Sequence, residues 1–277
     1  MKSEAIRQYY VVNGNVMPTS NTEVFEQITK PPIYEVIRVI DGVPLFLEDH
    51  LERMRKSAEL VGIKIDREDE EIKRDIKILI EKNQEKNLNV KLLYSSIDDS
   101  SPILLAYFIK SFYPPEEYYE NGIHTILFNY ERENPNAKVQ KSSFKEQVNE
   151  ELEKNNAFEA LLVNSNGYIT EGSRSNMFFV KGNRIYTAPK GAVLLGITRK
   201  YILQVCSELN IDVIEENIHV DEIPHLDGAF MSGTSVNVLP ISSIGDIKLN
   251  SVNNLIIKKV SHGYMDKVKT YIESKVL

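Results

Sequence analysis

The sequence predicts an α+β protein of two domains. Three observations carry that prediction: tight-turn pairs between short β-branched runs, helical apolar stripes scattered among them, and a proline-rich break near the middle. Strands and helices mix without a steady βαβ rhythm, which disfavours a doubly wound parallel sheet. The 277 residues accommodate two modest domains, and 42% apolar with 26% charged residues is an ordinary globular composition.

The elements follow in order. Tyr9-Tyr10-Val11-Val12 reads as a strand, Asn13-Gly14 as a tight turn and Asn15 as the start of a second strand. Residues 34–39 and 44–47 flank Asp41-Gly42, a hairpin signal because both turn residues tolerate positive φ. A helix is expected over 48–61, with Leu51, Met54, Ala58 and Val61 as its apolar stripe and Gly62 as its stop. Ile72, Ile76, Leu79 and Ile80 mark a second helix, and strands are expected over 90–96 and 103–109. Pro114-Pro115 excludes continued helix or central strand, so residues 113–120 read as a linker between domains at 1–112 and 121–277. Beyond it come a strand over 124–130, an irregular segment, a helix over 144–156 and a strand-dense region over 159–187. A helix over 198–209, strands over 212–218 and 228–231 and a final helix over 252–276 complete the chain.

A net charge of -7 without a dense basic cluster argues against nucleic acid and anionic membranes as partners. The first residues lack the apolar core of a signal peptide, and no apolar run reaches membrane-spanning length. The single cysteine, Cys206, excludes an internal disulfide framework and reads as a buried helical thiol. The expected compartment is the cytoplasm. His219, Asp221 and His225 lie close together, but Pro224 breaks their register and no metal is assigned. Glycine-rich nucleotide loops and Gly-x-Ser-x-Gly are absent from the sequence.

What remains is a dispersed set of groups. Alternation puts Glu171 on the inner face of a strand with Ile169, where a carboxylate needs a positive partner. Gly196-Ile197-Thr198 opens an amphipathic helix, and helix N-terminal amides bind anions. Ser232-Gly233-Thr234-Ser235 is a second hydroxyl-rich turn. His50, Arg53 and Ser57 share one helix face, with Arg53 either gripping a phosphate or pairing with Asp49. Lys138 and Lys141 compete as the reactive amine. An amine, an acid and an anion cradle are what pyridoxal 5'-phosphate demands: a lysine for its aldehyde, a carboxylate for its ring nitrogen, and amides and hydroxyls for its phosphate.

The ordered blocks Asp49-His50-Leu51-Glu52-Arg53, Phe158-Glu159-Ala160, Asn166 through Phe178, Gly196-Ile197-Thr198-Arg199 and Met231-Ser232-Gly233-Thr234 resemble the class IV aminotransferases. These are the fold-type IV pyridoxal phosphate enzymes, including branched-chain and D-amino acid aminotransferases and aminodeoxychorismate lyase. The resemblance covers nearly the whole chain. It implies a smaller N-terminal α/β domain, a larger C-terminal barrel-like domain, the cofactor between them and a homodimer. It implies Arg53 as the phosphate arginine, Glu171 as the ring-nitrogen partner, and Ile197, Thr198 and Thr234 as the phosphate cup. Counting back 21 residues from Glu159 gives Lys138 as the lysine, ahead of Lys141.

Two departures bear on the substrate. Val139-Gln140-Lys141-Ser142-Ser143 stands where branched-chain relatives carry Gly-Gly-Asn-Tyr, and the strand Lys91 to Ser96 lacks a terminal Arg-Gly. Tyr34, Arg38, Lys91 or Tyr94, by alternation on their strands, and Ser235 are the substitutes for gripping substrate. The expected activity is amino transfer between an amino acid and a 2-keto acid through a Lys138 Schiff base. Pyruvate elimination of the aminodeoxychorismate lyase type, or a cofactor-binding homologue without activity, are the alternatives.

Overall fold

The computed structural model describes residues 2–28, 30–96, 102–131, 135–139 and 142–276. Two compact units emerge. One comprises Met1–Phe112, Ala137–Lys141 and Tyr271–Leu277, the other Tyr113–Asn136 and Ser142–Thr270.

The first unit contains β1 (Ala5–Val12), β2 (Asn15–Pro18), α1 (Glu23–Glu26), β3 (Ile33–Ile40), β4 (Val43–Pro44), α2 (Leu47–Leu60), α3 (Asp69–Asn83), β5 (Asn89–Ser96) and β6 (Pro102–Ile109). Its sheet runs β2-β1-β6-β5-β3-β4 with antiparallel neighbours. Alternation decides the faces. Ile33, Glu35, Ile37 and Val39 are buried while the residues between them are half-buried. The buried apolar positions pack with Leu51, Met54 and Ala58 of α2 and Ile72, Ile76 and Leu79 of α3. Asp41-Gly42 makes the expected hairpin, with both residues at positive φ. The second strand ends at Pro44, earlier than its apolar residues suggest, because Phe46 takes a left-handed conformation (φ 52°) and starts α2. No side chain on Phe46 caps that helix. Instead the Leu47 N–H donates to Tyr271 Oη (3.1 Å), and Tyr271 Oη donates to Glu48 Oε2 (2.7 Å). α1, unannounced by any periodicity, buries Phe25 against the rings of Tyr10 and Tyr107 (centroids 5.2 and 5.3 Å).

The second unit contains α4 (Glu116–Asn121), β7 (Ile123–Asn129), α5 (Ser142–Lys154), β8 (Glu159–Val163), β9 (Tyr168–Gly172), β10 (Asn176–Lys181), β11 (Arg184–Thr187), α6 (Ile197–Glu208), β12 (Asp212–Glu215), β13 (Ile218–His219), β14 (Gly228–Gly233), β15 (Asn237–Ile244), β16 (Ile247–Lys248) and α7 (Leu255–Val276), the last turns of α7 counting with the first unit. Its strands form one curled sheet, β12-β11-β10-β14-β15-β7-β8-β9-β13, with β16 on β15. The stretch 113–120 turns helical at Glu116, with Pro115 as N-cap. Residues 212–218 form two strands rather than one, because β12 pairs with β11 and β13 with β9. β15 was not expected. Its apolar residues Val238, Leu239 and Ile241 are buried despite the interruption of Pro240. α6 begins at Ile197, as the Gly196 turn implies. Cys206 on α6 is buried, and burial pushes its thiol up to about 12.

Candidate active site

In the first unit, one aromatic ring gathers two amines. The residue 138–139 segment adds to the edge of β3, with Val139 opposite Ile33 and the Tyr34 N–H donating to the Lys138 carbonyl (3.1 Å). The Lys138 N–H donates to Ser57 Oγ of α2 (3.3 Å). This anchoring sets the half-buried Lys138 side chain over Tyr34, with Nζ 4.7 Å from the ring centroid. Lys91 Nζ lies 5.0 Å from the same centroid and also pairs with Glu4. Lys141, the competing lysine, lies outside the described residues.

Arg53 is held by Glu35. Its Nε donates to Glu35 Oε1 (2.7 Å) and its Nη2 to Oε2 (2.5 Å), a two-pronged grip. His50 Nδ1 lies 2.8 Å from the same Oε2, so the neutral ring carries its proton on Nδ1. Glu35 is fully buried, and burial alone pushes its carboxyl up. The Arg53 charge and the hydrogen bonds from Arg53 and His50 outweigh this and hold it at about 2. Burial pushes His50 below its usual range, against the pull of Glu35 and with the added repulsion of Arg53 and Lys138. His50, Arg53 and Ser57 therefore do share the face that their helical spacing assigns them, and the Lys138 backbone meets that face at Ser57.

The substrate candidates divide. Tyr34 and Arg38 share the sheet face away from α2 and α3, and Lys91, opposite Val36, joins them. Tyr94 does not. It stands opposite Ile33, packs in the helix-covered core, and its hydroxyl meets the Lys64 carbonyl (3.0 Å) and Asp66 Oδ1 (3.1 Å). The assumption that Tyr94 points with Lys91 fails because three residues apart on a strand means opposite faces.

In the second unit, Glu171 is 3% exposed on the inner face of β9, and its Oε2 accepts from the Leu194 N–H (3.3 Å). The Leu194 carbonyl in turn accepts from Asn176 Nδ2 (2.8 Å) and from the Gly196 N–H (2.9 Å). Gly196 then caps α6 without a side-chain hydrogen bond, leaving the first amides of the helix as available donors. Ile197 and Thr198 are buried in that first turn. A Cβ on Gly196 would stand 2.1 Å from Asn176 Oδ1, so the approach needs glycine. Opposite Asn176 across the β10–β14 pair stands Ser232, 1% exposed, with an Oγ that finds no partner among the described residues. Thr234 and Ser235 follow in the β14–β15 turn, half-buried.

Glu35 and Asn176 carry no site role in the sequence reading. The signal for Glu35 is its place among Ile33, Ile37 and Val39, at the period of two that marks the core face. Among the described residues no cluster of metal-ligating side chains occurs, and His219 serves as a cap, its Nδ1 accepting from the Asp221 N–H (3.3 Å).

The donor set fits a phosphorylated pyridine: uncapped helix amides and an orphaned buried hydroxyl on one side of Leu194, a buried carboxylate on the other. Comparison with known proteins points the same way. Residues 32–244 match the family described as Amino-transferase class IV. The chain is 30% identical over 223 residues to a D-alanine aminotransferase of Bacillus licheniformis, covering 76% of this chain and 78% of that protein. It is 28% identical over 267 residues to a probable branched-chain-amino-acid aminotransferase of Rickettsia typhi, covering 90% and 92%. Its fold matches the branched-chain amino acid aminotransferase of Thermobaculum terrenum, solved in its PLP holo-form, at a TM-score of 0.84 and 21% identity, over 97% of this chain and 96% of that one.

Proposed function

The chain belongs to the class IV aminotransferase family, and from that premise we propose which of its residues carry the transfer of an amino group between an amino acid and a 2-keto acid. Class IV aminotransferases are pyridoxal phosphate enzymes. That group supplies, when bound, an aldehyde carbon that exchanges amines and a protonated ring that takes up electrons from the breaking substrate bond.

The residues divide the work. Lys138 Nζ would hold the group through its aldehyde, and the same amine would take up the proton from the substrate α-carbon. Tyr34 and the Ser57 anchor orient it. Glu171 keeps the proton on the ring nitrogen. The amides of Ile197 and Thr198, with the Thr234 hydroxyl and the Ser232 Oγ, bind the phosphate, and Arg53, fixed by Glu35, adds its charge. Tyr34, Arg38 and Lys91, on one sheet face, and Ser235 are the candidates for holding the substrate carboxylate.

The observation that carries this reading is the linked set Glu171–Leu194–Asn176–Gly196, which ties a buried carboxylate to an uncapped helix start. Borohydride reduction of the enzyme loaded with cofactor, followed by peptide mapping, tests it. The label is expected on Lys138; a label on Lys141 moves the amine, and no label removes the cofactor. Lys138→Ala is expected to abolish turnover, and full activity in that variant rejects the assignment.

D-alanine and the branched-chain amino acids come to this chain as candidate substrates through the names of its relatives. A panel of D- and L-amino acids scored by loss of cofactor absorbance separates them. A homodimer in the cytoplasm completes the reading, supported by the family resemblance. No described helix is long and apolar enough to cross a membrane.

A further inference from the structure

Glu159 opens β8 with no exposed surface. Its Oε1 accepts from the Ala160 N–H (2.9 Å), the Ser173 N–H (3.1 Å) and the Ser173 hydroxyl (2.5 Å). Its Oε2 accepts from the Ser175 hydroxyl (2.9 Å), with Arg174 Nε at 4.0 Å. A buried carboxyl group needs such company, since desolvation without partners costs several kcal/mol. What matters is where the partners come from. Apart from the neighbouring Ala160 amide, all belong to Ser173–Ser175, the turn that joins β9 to β10.

The same turn is closed by two backbone bonds, Gly172 N–H to Ser175 carbonyl (2.8 Å) and Ser173 N–H to Ala160 carbonyl (2.9 Å). It leaves no slack. A Cβ on Gly172 would lie 2.0 Å from Ser175 Oγ and 3.2 Å from the Glu159 carboxyl carbon. Glu171 enters this turn and Asn176 leaves it, so both residues that bind Leu194 are fixed by one clamp. A turn between neighbouring strands needs no buried acid for its own sake, because exposed polar residues satisfy it in water.

We infer that Glu159, given Glu171 as the ring-nitrogen partner proposed above, is a positioning residue: it holds the Ser173–Ser175 turn and so sets where the Glu171 carboxylate and the Asn176 amide stand. It acts through hydrogen-bond geometry rather than through its charge. Glutamine at 159 preserves that geometry. Its amide oxygen replaces Oε1, and its NH2 donates to Ser175 Oγ, which turns from donor to acceptor.

Three readouts test this: pyridoxal 5'-phosphate affinity, the pH response of the bound-cofactor absorbance, and amide hydrogen exchange at residues 171–176 in the cofactor-free protein. Glu159→Ala is expected to weaken cofactor binding by about tenfold or more, to shift the absorbance response toward that of Glu171→Gln, and to speed exchange by a similar factor. Glu159→Gln is expected to match the parent in all three. A Glu159→Ala protein that melts earlier yet keeps affinity, spectrum and exchange unchanged overturns the inference, as does a Glu159→Gln protein as impaired as Glu159→Ala. If Glu159→Ala does not fold, the Ser173→Ala/Ser175→Ala double variant takes its place with the same expected losses, and parent-like behaviour there overturns it. Glu171→Gln, measured alongside, separates the two readings. An unchanged spectrum in Glu171→Gln sinks the ring-nitrogen assignment and this inference together, whereas a changed spectrum there with none in Glu159→Ala sinks this inference alone.

Discussion

At the scale of residues, the first unit depends on a buried acid. Glu35 titrates at about 2 in the folded chain against an ordinary 4.5. The unfolded chain therefore takes up the proton first as pH falls, and the contribution of Glu35 is whole above about 4.5 and lost as pH falls through about 2. Glu35→Gln is expected to cost roughly 3 kcal/mol at neutral pH, in urea titrations, with the deficit fading across that acid window. His50, held below its ordinary 6.5, begins a separate loss of stability as pH drops under that value, since its unfolded form charges first. A second residue-scale expectation concerns the α6 cap. Gly196→Ala brings a methyl group to the amide oxygen of Asn176 and is expected to weaken cofactor binding, read by fluorescence titration, with little change in overall melting. Much of this level was readable beforehand. The inward face of Glu171 was readable from strand alternation, and the common face of His50, Arg53 and Ser57 from helical spacing. Asn176 was not, nor was its place opposite Ser232, because that arises only where β10 and β14 pair, and the pairing spans 56 positions from 176 to 232.

Between elements, α7 fits closely on α6. Gly263 sits where a Cβ would stand 2.5 Å from Val205 Cγ1. Gly263→Ala is expected to destabilise by about 1–3 kcal/mol, and the Val205→Ala change combined with it is expected to restore part of that loss in a double-mutant cycle. Additive costs would show that the two helices do not meet there. Helices with clear stripes, such as α2 and α3, were legible from the 3.6-residue period, as were strands framed by Asn-Gly or Asp-Gly. The elements that escaped are those whose reason is tertiary. α1 has four residues and exists to seat Phe25, and β15 carries a proline that periodicity alone reads as a break.

For the whole molecule, ligand linkage gives the broadest test. A cofactor that binds only the folded chain raises its stability by about 2.7 kcal/mol at a hundredfold excess over the dissociation constant. Pyridoxal 5'-phosphate is expected to raise the melting temperature in a concentration-dependent manner, and a flat response would contradict the cofactor reading. The α+β class and the family were legible because chemistry-bearing blocks appear in order along the chain. The interleaving of the two units was not, since nothing in the local composition of residues 137–141 or 271–277 says which sheet or helix each will join.

That interleaving has a consequence for biogenesis. The cap on α2 is Tyr271, and the edge partner of β3 is Val139, both emerging from the ribosome long after the elements they complete. Vectorial synthesis thus leaves the first unit unfinished until residue 271 has been made, and the segment carrying Lys138 reaches its berth only when the nascent polypeptide has doubled back.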